Sequence, residues 1–194
     1  MNVEMWFPVS IYSEKELFSA EQNKLWTDYI LNLKTTVPSA HNNWQGGTYT
    51  THESREYYLK SDPMFAPLVE KITDRVNSFA RKHGCDGIYE CQHAWINVAD
   101  SNNFQEFHTH NGSIFSLVYY VSAPEGSGRI LFEDPKEPDM MPLKSIKHDS
   151  PLSYQRIHYK AEEGCVIIFR SYLRHMVEPG TNITPRISIS MNFG

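Results

Sequence analysis

Cysteine is scarce in this chain of 194 residues, which carries three, at positions 85, 91 and 165. An odd number without metal-ligand spacing excludes a disulfide framework and points to reduced, buried thiols. No apolar run approaches the roughly 20 residues that span a bilayer. The opening Met1-Asn2-Val3-Glu4 lacks the basic start of a secretion signal. An excess of positive charge is missing too: 18 lysines and arginines against 23 acids give a net charge of −5. Bulk binding to nucleic acid or to an anionic membrane is therefore not expected. These absences lead to the expectation of a cytoplasmic protein with no membrane association. What is present is 40% hydrophobic and 13% aromatic, enough to fill one core, so the chain reads as a single domain over 1–194.

Two helices are expected near the start. Ser19 with Gln22 forms a capping box, and Leu25, Trp26, Tyr29, Ile30 and Leu33 follow at helical spacing, which predicts a helix over 20–34. Asp62-Pro63 starts a second, with Leu68, Val69, Ile72, Val76 and Phe79 as its buried stripe and Gly84 as its end. The strand formers at 5–12 predict an edge strand, since Pro8 lacks an amide donor. The paired glycines and asparagines at 42–47 predict a loop. From residue 88 onward the pattern changes to short β-rich runs, at about 89–98, 104–110, 114–123, 128–133, 153–159, 165–170 and 186–193. The prolines of 134–152 mark one long surface loop. The fold class is therefore α+β and mainly β, a sandwich, jelly roll or barrel over about 88–194, with helical support over about 13–84 packed on one sheet.

His108-Thr109-His110 lies at the end of a predicted strand, where residues two apart share a face and both rings can meet one ion. His175 follows a buried strand, and antiparallel folding can bring it to the same pocket. An H-x-H pair is weak evidence alone, and the histidines at 41, 52, 83, 93, 148 and 158 show no such spacing. The last strand adds weight. Its alternation sets Arg186, Ser188 and Ser190 on one face and Ile187, Ile189 and Met191 on the other. A polar face headed by a guanidinium suits a bound anion, although a surface ion pair would also account for the arginine.

In this order, His108-Thr109-His110, Val118-Tyr119-Tyr120-Val121, His175 and Arg186 resemble the 2-oxoglutarate and Fe(II)-dependent oxygenases, especially the prolyl-hydroxylase-like and aspartyl-hydroxylase-like branches. Phe107-His108-Thr109-His110-Asn111, Phe132-Glu133-Asp134-Pro135 and Leu173-Arg174-His175 look like a group of these enzymes from marine bacteria and phages, and Trp44-Gln45-Gly46 echoes an early segment of that group. If the chain is phage-encoded, its compartment would be the host cytoplasm. The resemblance covers about 89–194. It implies a double-stranded β-helix of the cupin-like type and a hydroxylase using Fe(II), 2-oxoglutarate and O2, which releases succinate and CO2. By the same resemblance His108 and His175 are iron ligands, Arg186 clamps the C5 carboxylate of 2-oxoglutarate, and Tyr120 assists by hydrogen bonding. Asn97, on a strand expected to line the same pocket, reads either as a co-substrate or substrate contact or as an asparagine bonding backbone near a strand end, and Ser188 joins as a co-substrate contact. The usual carboxylate ligand is replaced by His110, which is either the third ligand or a neighbour of a water-completed sphere; strand geometry favours the first. Glu106 is the nearest carboxylate on the same face.

Two other classes remain open. A cupin-type metal protein would share the barrel without using 2-oxoglutarate, but the glycine and glutamate that cupins place around H-x-H are here Asn102 and Ile114 or Phe115. A non-enzymatic β-sandwich would leave its histidines incidental. Nucleic-acid demethylases carry a second arginine after the clamp, and none follows Arg186. The substrate is thus expected to be a protein side chain or a small molecule, recognised by loops near Trp44, Asn102-Asn103 and 134–152. Neither the substrate's identity nor the oligomeric state is written in the sequence.

Overall fold

The computed structural model describes residues 2, 4–40, 46–136, 143–145 and 150–194. The loop expected at 42–47 and the Trp44 rim lie mostly outside these residues, as does much of the expected 134–152 loop.

Two antiparallel sheets make up the β portion. The larger has the order β1-β8-β5-β10-β3-β2, with β1 Ile11–Glu14, β2 Tyr49–Thr50, β3 Cys91–Ala99, β5 Phe115–Ser122, β8 Val166–Arg170 and β10 Arg186–Phe193. The smaller has the order β4-β9-β6-β7, with β4 Gln105–His108, β6 Ile130–Glu133, β7 Arg156–Tyr159 and β9 His175–Val177. From β3 to β6 and again from β7 to β10 successive strands alternate between the sheets, with β6 and β7 paired in the smaller one, which is the jelly-roll pattern.

The central strands of the larger sheet are apolar on both faces because each face meets a different core. On one side Val118, Tyr120, Ile167 and Phe169 join Ile130 and Phe132 of the smaller sheet. On the other Leu117, Tyr119, Ile168, Ile189 and Met191 share a core with Trp26, Ile30, Leu68, Ile72 and Val76. A strand buried on both faces loses clean alternation, and this is why Phe115–Ser122 and Val166–Arg170 read as near-continuous apolar runs.

Helix α1 spans Ala20–Thr36, capped by Ser19, whose hydroxyl accepts from the Gln22 amide. Trp26 is fully buried and donates to Met64 O at 3.0 Å. Asn23 accepts from the Tyr119 hydroxyl at 2.5 Å, which ties α1 to β5. The second helical segment opens as a 3-10 turn, Pro63–Phe65, before α2 spans Ala66–Lys82.

Three expectations need correction. The first strand is Ile11–Glu14 rather than 5–12: Met5, Trp6 and Phe7 are exposed, and Phe7 sits at φ 58°, a left-handed conformation that a strand cannot contain. β2 and β9, of two and three residues, were not expected, since so short a strand carries no readable period. Asn102-Asn103, expected at the rim of the pocket mouth, forms a turn, with the Asp100 amide bonded to Asn103 Oδ1 at 2.8 Å, and neither residue lines the cleft described below.

Candidate metal and co-substrate site

The site begins with a strand pairing. β4 and β9 run antiparallel with His108 directly opposite His175, so one cross-strand pair brings together residues 67 positions apart in the chain. The two rings lie 4.2 Å apart between centroids. His110 follows just beyond β4, its amide bonded to Ser171 O at 3.1 Å, and its ring is 5.0 Å from His108 and 5.1 Å from His175. One nitrogen from each of the three rings lies within 4.8 Å of the others. Neighbouring imidazole nitrogens on one ion lie roughly 3 to 3.5 Å apart, so rotation of the rings toward one another would close the set.

The hydrogen bonds assign tautomers for two of these rings. His108 Nδ1 lies 2.7 Å from Glu106 O and His175 Nδ1 lies 2.8 Å from Leu173 O. A carbonyl only accepts, so both Nδ1 atoms carry the proton and both Nε2 atoms keep the lone pair that a metal needs. It is thus the main-chain carbonyl of Glu106 that orients His108. Burial also keeps the rings uncharged. Desolvation lowers the pKa of all three, that of His110 to about 3, with mutual repulsion adding to the effect at His110 and His175. Three neutral imidazoles suit a divalent first-row metal.

A second feature lies on the larger sheet. The register across β5, β10 and β3 aligns Tyr120 with Ser188 and Asn97 in one row, and places Arg186 opposite Ala99. Asn97 Nδ2 donates to Ser190 Oγ at 3.2 Å. Arg186 is 5% exposed and its Nη1 donates to Gly128 O at 2.9 Å. Its buried Nε has no acceptor, and among the described residues no carboxylate pairs with it. Burial works against its charge, and the neighbouring Tyr120 opposes that effect. A buried, unpaired guanidinium is costly, and a carboxylate entering from the cleft is the group that matches its planar fork. Gly128 makes this geometry possible, because a Cβ there would sit 1.8 Å from Glu178 O.

One cleft of about 920 Å³ is lined by His108, His110 and His175 together with Asn97, Tyr120, Arg186 and Ser188. All seven residues singled out in the sequence therefore face the same space. Sequence reasoning missed Asn192, which the i, i+2 alternation of β10 continues to the same face. It also set aside His52, which packs at 4.6 Å against Trp95, itself 5.8 Å from His110; no spacing signal distinguished it. His83 bonds Ser10 and the Phe79 carbonyl, and His158 is exposed.

Residues 93–192 match the model of the family described as "Putative 2OG-Fe(II) oxygenase", just over half of the chain. The chain belongs to this family. It is accordingly an enzyme of the 2-oxoglutarate and Fe(II)-dependent oxygenase type. Comparison with curated proteins gives no match. Among solved structures, this oxygenase is similar in fold to a viral collagen prolyl hydroxylase from Paramecium Bursaria Chlorella virus-1 in complex with 2-oxoglutarate, at 14% identity and TM-score 0.60 over 94% of each chain. It is also similar to a prolyl-4-hydroxylase of Pseudomonas putida, at 12% identity and TM-score 0.64 over 95% of this chain and 92% of that one. HygX from Streptomyces hygroscopicus, with nickel and 2-oxoglutarate bound, shares 9% identity at TM-score 0.68 over 96% of this chain and 83% of its own.

Proposed function

We propose that this oxygenase hydroxylates an organic substrate, a protein side chain or a small molecule, with 2-oxoglutarate and O2 as co-substrates and succinate and CO2 as co-products. His108, His110 and His175 would hold Fe(II), and Arg186 would hold the C5 carboxylate of 2-oxoglutarate. Tyr120, Ser188 and Asn97 would complete the polar wall of that pocket. The observation that carries this reading is the convergence of three neutral imidazoles and one buried, acid-free guanidinium on a single cleft.

Bound Fe(II) would supply the redox chemistry that couples reduction of O2 to oxidation of 2-oxoglutarate and of a substrate C–H bond. The chain's own residues orient and sequester. Arg186 offers two parallel N–H donors to a carboxylate, and the low polarity around it strengthens that contact. The Tyr120 hydroxyl is a donor from the neighbouring strand. The main-chain carbonyls behind His108 and His175 hold the rings in one tautomer, so coordination requires no proton to leave either ring. Three protein ligands leave positions open for a bidentate 2-oxo acid and for O2.

We further read residues 1–194 as one oxygenase domain, with the helical segment as cover for the larger sheet; the Tyr119–Asn23 bond and the shared Trp26 core support this. The three free thiols suit a reducing cytoplasm.

The test is iron-dependent conversion of 2-oxoglutarate to succinate by the purified chain. Turnover that requires Fe(II) is expected. Arg186→Ala should abolish it while leaving metal content intact, and unchanged turnover in that variant would remove the clamp. Absence of both metal binding and succinate formation in the unaltered protein would sink the oxygenase reading.

A further inference from the structure

A closed ring of polar contacts stands behind His110. Its main-chain amide bonds Ser171 O at 3.1 Å. Ser171 Oγ lies 2.8 Å from Ser116 Oγ, and Ser116 Oγ lies 2.9 Å from Asn192 Oδ1. Asn192 Nδ2 then lies 3.4 Å from His110 Nδ1. Ser116 and Ser171 are 1% exposed and Asn192 is 7% exposed, and the register sets Ser116 directly opposite Asn192 on β5 and β10. Three buried polar side chains against a half-buried imidazole at the edge of the site need a reason, since each buried polar group costs free energy unless it is fully bonded.

The contact with His110 is the weak link. An amide N–H facing Nδ1 needs a lone pair there, which would put the ring proton on Nε2 and leave that nitrogen unable to bind a metal. At 3.4 Å it is also longer than the usual 2.9–3.0 Å. A half-turn of the carboxamide exchanges its oxygen and nitrogen with almost no change in shape. Oδ1 then accepts from His110 Nδ1–H, Nδ2 donates to Ser116 Oγ, and Ser116 donates to Ser171. Every member stays bonded, because each hydroxyl can both donate and accept. His110 also becomes equivalent to His108 and His175, each of which already has an oxygen acceptor at Nδ1.

We propose that Asn192, backed by Ser116 and Ser171, is a positioning residue that turns its carbonyl to His110 Nδ1 and so presents His110 Nε2 as the third metal-binding nitrogen. This rests on the three-histidine reading above. It also explains how a site without the usual carboxylate can hold its third ligand in one orientation: the sheet supplies a fixed acceptor in place of a rigid backbone carbonyl.

The test is Co(II) binding, followed by calorimetry and by the visible spectrum of the bound ion, which reports ligand number independently of turnover. Asn192→Leu, of similar size with no acceptor, should weaken Co(II) by about 10- to 100-fold and give the spectrum of His110→Ala. Asn192→Asp keeps an acceptor and loses the N–H, and should bind within a few-fold of the unaltered protein with its spectrum retained. The proposal is overturned if Asn192→Leu binds like the unaltered protein, or if Asn192→Asp is as impaired as Asn192→Leu. Should Asn192→Leu fail to fold, Ser116→Ala decides: it leaves the carboxamide free to swivel, so a several-fold loss of Co(II) affinity is expected and an unchanged affinity overturns the proposal. If the unaltered protein binds no Co(II), the oxygenase reading fails as well, a result distinct from the variant-specific losses.

Discussion

At the scale of single residues, the informative groups are those whose partner is missing or minimal. In the sequence Arg186 stood out as a charged residue heading an alternating strand and, by resemblance, as the carboxylate clamp; its burial and the orphan Nε became visible once β10 was placed between β5 and β3. If its role is to meet a carboxylate, the neighbouring hydroxyl should matter less than the fork. Tyr120→Phe is therefore expected to raise the KM for 2-oxoglutarate by up to about tenfold, the worth of one hydrogen bond, with kcat nearly unchanged. An initial-rate series in 2-oxoglutarate would check this. The H-x-H pair and His175 were also legible as residues, but their tautomers were not. Those depend on the carbonyls of Glu106 and Leu173, and a sequence does not show where carbonyls point.

Among the secondary-structure elements, the short strand β9 does the positioning and was the hardest to foresee. Three residues give no period, yet this strand sets His175 opposite His108 on one side and Phe132 on the other. What holds it is partly Glu133, buried in β6. Its carboxylate accepts from Arg156 at 2.8 and 3.1 Å and from Arg174, and its amide donates to Arg174 O at 3.0 Å. Arg174 also lies over the Phe107 ring at 4.5 Å. The arginines lower the carboxyl's pKa although burial opposes them. Because both guanidinium groups are half-exposed, Glu133→Ala is expected to cost about 1–3 kcal/mol rather than the full cost of breaking a buried pair. It should also weaken metal binding by loosening His175, as urea titration and Co(II) calorimetry would show. Trp26→Ala in α1 is the contrasting case, with about 3–5 kcal/mol lost to a cavity and metal affinity preserved in the fraction that stays folded. The long helices were readable because their apolar residues repeat, and the two-sided strands because they run almost unbroken apolar; the turn at Asn102-Asn103 and the start of β1 were not, because hydrogen bonds and one left-handed residue decide them.

Across the whole molecule, the buried histidines link stability to pH. Desolvation holds His108, His110 and His175 below the 6.5 of a solvated imidazole. The unfolded chain therefore takes up protons first as pH falls through about 6.5, and native stability drops from there toward the lower folded values. Each histidine contributes at most about 1.4 kcal/mol per pH unit. Carboxylates held low by arginine, such as Glu14 and Glu178, add their own loss only below about 4.5. Urea midpoints of metal-free protein should accordingly fall between pH 7 and pH 5, and His110→Gln should flatten that slope.

The placement of the three imidazoles has one more consequence. His108 and His175 belong to the smaller sheet, whereas His110 is fastened through Ser171 and Asn192 to the larger one. An ion gripped by all three would act as a rivet through both leaves at the mouth of the barrel. Stripping it with a chelator would therefore unpin that end of the fold as well as silence the chemistry, leaving a form that proteases cut sooner and whose amides near residues 105–113 exchange faster.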